Sequence, residues 1–287
     1  MLAMPDRQLD LVQGRGSSPR FSVVMPTYNR AHVVWKAINS ILAQTHEDWE
    51  LIVVDDESTD ATLRVLEEFR DPRIQVVSVP HGGPSRARNA GLERARGTYV
   101  AYLDSDNTWT PRFLESFAAK IAGSDDVMWH CGRTMAVWER RLDRTWHLVD
   151  ERTQPARGLA EEDVWALHAP DVNCLVHRTD AARRVDGWDP DCTWIEDWDF
   201  FLRLWLANEG RCGHLPALLV EYRQVHGEGA DGICAEFRED VNRELEARRY
   251  LIEKWRDHEE FDPSCLRRSR DELAPVRADR RKSINAR

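Results

Sequence analysis

Four short apolar runs alternate with helix-patterned segments between residues 21 and 103, and this limits the fold more than any other feature of the chain. The runs are 21–25, closed by Pro26, then 51–54, 74–79 and 98–103. After the first, Val33, Val34, Ala37, Ile38, Ile41 and Leu42 form a helical stripe. After the second, Leu63, Leu66 and Phe69 share one face; after the third, Pro84 opens "PSRARNAGLERAR". Continuous apolar strands joined by helices indicate an α/β fold, a mostly parallel, Rossmann-like sheet with helices on both faces.

In such sheets ligands bind outside the carboxyl ends of the strands. Here each run ends in a polar string: "PTYNR", "DDEST", "HGGPSRARN" and "DSDN". Four polar strand ends facing one crevice make a site. The chain has neither a P-loop nor G-x-G-x-x-G, so phosphates must be held another way. In an extended segment residues i and i+2 project to one side. Asp104 and Asp106 then face one cation, with Ser105 turned away. Two hard carboxylates suit Mn²⁺ or Mg²⁺, which take their remaining oxygens from phosphate. Arg86 and Arg88 stand near a helix start, placed to reach a phosphate or a base, with one of them expected on a solvated face. Asp56 is expected to accept the ring N–H of a pyrimidine, and Tyr28 to stack on it.

Bulk properties narrow the class. With 287 residues, 42% of them hydrophobic, the chain can bury a sizeable core. A net charge of −10 argues against nucleic acid as the main partner. The six cysteines show no C-x-x-C pair, which suggests a reducing cytosol rather than a disulfide framework or a zinc site. No apolar stretch approaches the roughly 18 residues of a membrane span. Residues 1–20 are polar and read as a disordered lead-in rather than a signal peptide. The expectation is a soluble cytoplasmic protein. The twelve tryptophans are expected mainly in the core.

The second half changes pattern. "VMWHC", "TMAVWERR" and "TWHLVD" read as short strands in a hairpin region, and 153–170 is expected to shape the acceptor side. In "GWDPDCTWIEDWDFFLRLWLANEG", Trp194, Trp198, Phe201, Leu202 and Trp205 form a helical stripe closed by Gly210. Glu196, Asp197 and Asp199 fall before or within its first turn, where acids offset the helix dipole without needing a further role. A last helix is expected over 235–255, followed by an Arg-rich, solvated tail. The expected division is a lead-in (1–20), a nucleotide-sugar half (21–125), an acceptor and catalytic half of the same domain (126–234), and a C-terminal helix with a basic tail (235–287).

Taken in order, "VVMPTYNR", "LIVVDDESTD", "GGPSRARNAGLERARGTYVAYLDSDN" and "EDWDFFLRLW" resemble the family 2 glycosyltransferases of the GT-A fold, from about residue 21 to 230. The resemblance implies metal-dependent, inverting transfer of a sugar from a nucleotide-diphosphate sugar, a UDP-sugar foremost, to an acceptor nucleophile. That acceptor would be a glycan, a lipid-linked sugar, a small metabolite or a peptide. The implied nucleotide set is Pro26, Thr27, Tyr28, Arg30, Asp56, Arg86, Arg88, Asp104 and Ser105. Asp106, with Asp104, would ligate Mn²⁺ or Mg²⁺, and His226 in "EYRQVHGEGAD" would complete the metal shell or touch the diphosphate. Asn107 stands where the family often has a third Asp, in a position expected to lie behind the metal. "WIEDWD" matches the family's E-D motif, which makes Asp197 the base and Glu196 its neighbour or an acceptor contact. The nucleobase stays open among uracil, thymine and guanine, each with a ring N–H for Asp56. Two rivals fit less well. A receiver-like signalling domain would end near residue 120, and a sugar nucleotidyltransferase would carry a glycine-rich loop where "PTYNR" stands.

Overall fold

The computed structural model describes residues 19–140, 145–165, 169–193, 195–226, 241–259 and 261. The alternating half forms β1 (Phe21–Thr27), α1 (Val34–Leu42), β2 (Trp49–Asp55), α2 (Thr62–Leu66), β3 (Ile74–Ser78), α3 (Pro84–Arg94) and β4 (Tyr99–Tyr102). Next come β5 (Thr108–Trp109), α4 (Phe113–Ile121), β6 (Met128–Arg140), β7 (Trp146–Gln154), α5 (Glu161–Trp165), β8 (Leu175–Arg178) and α6 (Thr179–Arg184). The last elements are α7 (Glu196–Ala207), β9 (Gly213–His226) and α8 (Val241–Trp255).

One sheet runs in the order β3-β2-β1-β4-β8-β6-β9-β5, with β7 paired to β6. It is parallel through β3, β2, β1 and β4. Beyond them it is mixed: β8 is antiparallel to both β4 and β6, and β6 is parallel to β9. Alternation along β1 divides the core into two layers. Val23 and Met25 pack with α1 and α4 on one face; Val24, with Ile52 and Tyr102, packs towards α3 and α7 on the other.

Several local expectations change. Pro26 does not close β1, which runs on to Thr27. The main chain of Val24 bonds towards β4, accepting from Leu103, and β4 stops pairing there. Residue 26 faces the same side, so its missing N–H removes no ladder bond. The second helix is only Thr62–Leu66, and Leu63 is exposed while Leu66 is buried. The two expected strands "VMWHC" and "TMAVWERR" are one continuous strand, β6, and it does form a hairpin with β7. Its register against β9 shifts around Gly132. A side chain there would meet the Gln154 carbonyl and the Pro155 main chain at 2.8 Å.

Trp129, Trp188 and Trp198 are fully buried, whereas Trp35 and Trp146 are exposed. Cys131, Cys174 and Cys212 are free thiols. Among the described residues no helix is long and apolar enough to cross a membrane.

Candidate active site

The loops after β1, β2 and β3 are knitted largely by main-chain N–H groups. The Asp56 N–H donates to the Thr27 carbonyl (2.9 Å), and Asn29 Oδ1 accepts from the Thr59 N–H (2.8 Å). Asn29 and Glu57 both adopt left-handed backbone, which turns each loop sharply after its strand. Asp56 is buried, and its carboxylate accepts from the Gly82 and Gly83 N–H groups, each at 2.9 Å. His81 Nδ1 lies 3.0 Å from the same carboxylate. Tyr28 is 40% exposed and packs against His81, with ring centroids 4.5 Å apart and the rings tilted by 33°. Pro26 is half-buried and Thr27 buried directly before this loop.

The 104–107 segment is a turn, not the extended stretch expected from the sequence: the Asn107 N–H donates to the Asp104 carbonyl at 3.1 Å. Asp, Ser and Asn side chains favour such turns locally. The simple i, i+2 rule therefore does not aim Asp104 and Asp106. Asp104 Oδ1 accepts from Arg88 Nη2 (2.9 Å) and Oδ2 from Asn173 Nδ2 (3.0 Å), while its own N–H donates to Asn173 Oδ1 (2.7 Å). Asp106, on the other arm, stands 4.0 Å from Arg30 Nε and is partly exposed. Ser105 is buried. Asn107 is also buried, with Oδ1 accepting from the Arg223 N–H at 2.8 Å, so its side chain secures β9.

Among the described residues no group of three or more His, Cys, Asp and Glu is arranged to hold a metal. The donor set on this turn is two carboxylates. That set fits Mg²⁺ or Mn²⁺, which keep few protein ligands and draw on phosphate and water for the rest. The side chain of His226, which ends β9, lies outside the described residues, as does Trp194.

Arg88 joins the turn after β4 to the first turn of α7. It is buried, and its guanidinium spans Asp104 and Glu196, with Nη1 3.0 Å from Glu196 Oε1 and the group 4.6 Å over the Trp188 ring. Burial alone would lower its proton affinity, but the two carboxylates outweigh that and hold it well above the usual arginine value. Of the two expected arginines, Arg86 is the one on the solvated face.

Asp197 follows Glu196. Its carboxyl is raised from 3.8 to about 7, first by burial, then by the neighbouring charges of Glu196 and Asp171. Asp171 in turn pairs with Arg133 of β6 and accepts from Asn173 Nδ2 at 2.7 Å.

Asp199 departs from the expectation of a helix-end charge without further role. It is fully buried and takes Arg203 Nε at 2.9 Å, Lys254 Nζ at 2.8 Å and Trp255 Nε1 at 3.1 Å. A carboxylate removed from water needs such partners, and these fasten α7 to α8. The sequence reading missed Asn173, Asp171, His81 and Lys254. "PDVNC" carries only turn-forming residues, so nothing in it marks Asn173, and Lys254 lies 55 residues beyond Asp199 in the chain.

The family model described as Glycosyl transferase family 2 matches residues 22–181. Over 100 residues the chain is 45% identical to the putative teichuronic acid biosynthesis glycosyltransferase TuaG of Bacillus subtilis (strain 168), covering 34% of this chain and 40% of that one. Over 95 residues it is 42% identical to the UDP-Glc:alpha-D-GlcNAc-diphosphoundecaprenol beta-1,3-glucosyltransferase WfgD of Escherichia coli, covering 33% and 38%. These matches span only about two fifths of each relative's length. Among solved structures, the mannosyltransferase PcManGT from Pyrobaculum calidifontis, in complex with GDP-Man and Mn²⁺, aligns with a TM-score of 0.60 and 20% identity. The alignment covers 87% of this chain and 68% of that one, and at this identity it speaks for the fold, a GT-A fold.

Proposed function

The chain belongs to glycosyl transferase family 2, and from that premise we propose that it is a metal-dependent, inverting glycosyltransferase moving a sugar from a nucleotide-diphosphate sugar to an acceptor hydroxyl. The observation that carries the reading is the Arg88 bridge. One buried guanidinium ties Asp104, at the end of β4, to Glu196, beside Asp197. Donor-side carboxylate and candidate base thus belong to one polar assembly.

Asp197 takes the proton from the attacking hydroxyl. A carboxyl held near 7 is matched to that task at neutral pH, since a general base works best with a pKa close to the operating pH. One base and one direct displacement invert the anomeric carbon. Glu196 accepts from Arg88 and stands directly beside Asp197. Asp106, with Asp104, would hold Mn²⁺ or Mg²⁺, which would supply charge neutralisation for the leaving diphosphate. Tyr28 and Asp56 receive the base, with Pro26, Thr27, Arg30 and Ser105 lining the nucleotide side. Arg86, exposed beside them, reaches towards the phosphates. A UDP-sugar is the favoured donor, in keeping with the UDP-Glc in WfgD's name. A cytoplasmic setting agrees with the free thiols.

Calorimetry with UDP, GDP and dTDP, with and without Mn²⁺, tests the reading. UDP is expected to bind most tightly and only with the metal. Asp106→Asn should abolish that metal-dependent binding while the melting temperature stays unchanged. Equal Mn²⁺-dependent UDP affinity in Asp106→Asn and the natural chain would remove the metal assignment.

A further inference from the structure

We propose that His81 occupies the nucleobase slot of this protein and that the donor's base displaces it. This rests on the assignment of Tyr28 and Asp56 to the base. A pyrimidine there would offer a ring N–H to the Asp56 carboxylate and a flat face to Tyr28. His81 offers both from within the chain. Its Nδ1 is 3.0 Å from Asp56 Oδ2 and 3.1 Å from the Asp56 carbonyl oxygen. Both neighbours are acceptors, so Nδ1 carries the proton. Its ring lies 4.5 Å from Tyr28, tilted by 33°.

The rings already touch. A base inserted between them would need roughly twice the present separation, since stacked rings sit about 4.5 Å or more apart. The base therefore replaces the imidazole rather than joining it.

The loop suits such an exchange. The His81 side chain is 53% exposed, and Gly82 and Gly83 follow it. Gly83 has φ +84°, a conformation that glycine adopts without cost, and a Cβ there would meet nothing within 4 Å. Of the three donors on the Asp56 carboxylate, two belong to the main chain, from Gly82 and Gly83. Those two stay when the imidazole leaves, so the carboxylate remains aimed at the incoming N–H. The His81 contact is the exchangeable one of the three, and with it in place the carboxylate is buried.

Calorimetry on His81→Ala, with uridine alone and with UDP plus Mn²⁺, tests the proposal. Binding should tighten about two- to tenfold, the size expected when one aromatic contact no longer has to be broken. Tyr28→Ala and Asp56→Ala should weaken it. In the natural chain, the His81 Cε1–H resonance, identified by its loss in His81→Ala, should move out of the Tyr28 ring-current field as uridine is added. Equal or weaker binding in His81→Ala, or an unmoved resonance at saturating uridine, overturns the proposal. If Asp56→Ala loses uridine while His81→Ala matches the natural chain, only the role of His81 falls. If no form binds uridine, UDP, GDP or dTDP, the nucleotide reading falls and takes this inference with it.

Discussion

The proposed donor side and the proposed base side of the site are built from different contacts. Asp56 is gripped by N–H groups of the Gly82–Gly83 loop, at the ends of adjacent parallel strands. The loop after β1 is tied to the loop after β2 through Asn29. Main-chain contacts of this kind follow once the strands are in register. The base side depends on partly buried ion pairs between residues far apart in sequence: Arg88 with Glu196, Arg133 with Asp171, and Lys254 with Asp199. A main-chain grip survives most single substitutions, whereas an ion pair fails when either partner is lost, at a cost that grows with burial. The base side should therefore be the more fragile half.

The largest stability effect is expected at Arg88. Arg88→Met leaves Asp104 and Glu196, both half-buried, without their shared counter-charge, which costs about 2–4 kcal/mol, somewhat less than the loss of one partner of a fully buried pair. Urea unfolding would measure it. A loss below about 1 kcal/mol would show that the bridge is dispensable and would erase the contrast between the two sides.

Asp199→Asn comes next. It keeps an acceptor for Trp255 but removes the charge facing Arg203 and Lys254, a loss of about 1–3 kcal/mol. Transfer should fall with stability, and limited proteolysis should cut near α8 first. If stability held and turnover vanished, Asp199 would be the base rather than the joint.

Arg86→Ala is the smallest. Arg86 is exposed, so stability should change by no more than about 0.5 kcal/mol. Any effect on UDP affinity would sharpen the donor side by giving this arginine a phosphate contact.

The contrast also explains what could be read from the sequence. β1 to β4 carry apolar runs with β-branched residues, and period and punctuation sufficed to place them and their polar ends. α7 was legible from Trp198, Phe201, Leu202 and Trp205, and its end from Gly210, whose N–H donates to the Trp205 carbonyl. Missed features depend on distance along the chain. Asn173 meets Asp104 across 69 residues and Lys254 meets Asp189 across 65, and no local pattern encodes either contact. Asp104 and Asp106 were legible as a pair but not in their geometry, because D-S-D-N favours a turn as readily as an extended end. Asp199 looked like its neighbours in the first turn because burial leaves no mark on a single letter.

The measurement that goes most directly to the central claim is the pH profile of sugar transfer in the natural chain and in Asp197→Asn, with donor affinity followed in parallel. Asp197 must be ionised to act as base, so turnover in the natural chain should rise as pH climbs through about 7 and then level off. Asp197→Asn should lower turnover about 10²–10⁴-fold, lose that rising limb, and bind UDP with Mn²⁺ within a few fold of the natural chain. The linkage has a definite sign. A carboxyl raised from 3.8 to about 7 contributes stability that is fully present below 3.8 and is lost as pH rises through 7. The Asn variant should therefore melt higher than the natural chain at pH 8. Unchanged turnover in Asp197→Asn, with the limb near 7 still in place, would contradict the account and put the base elsewhere.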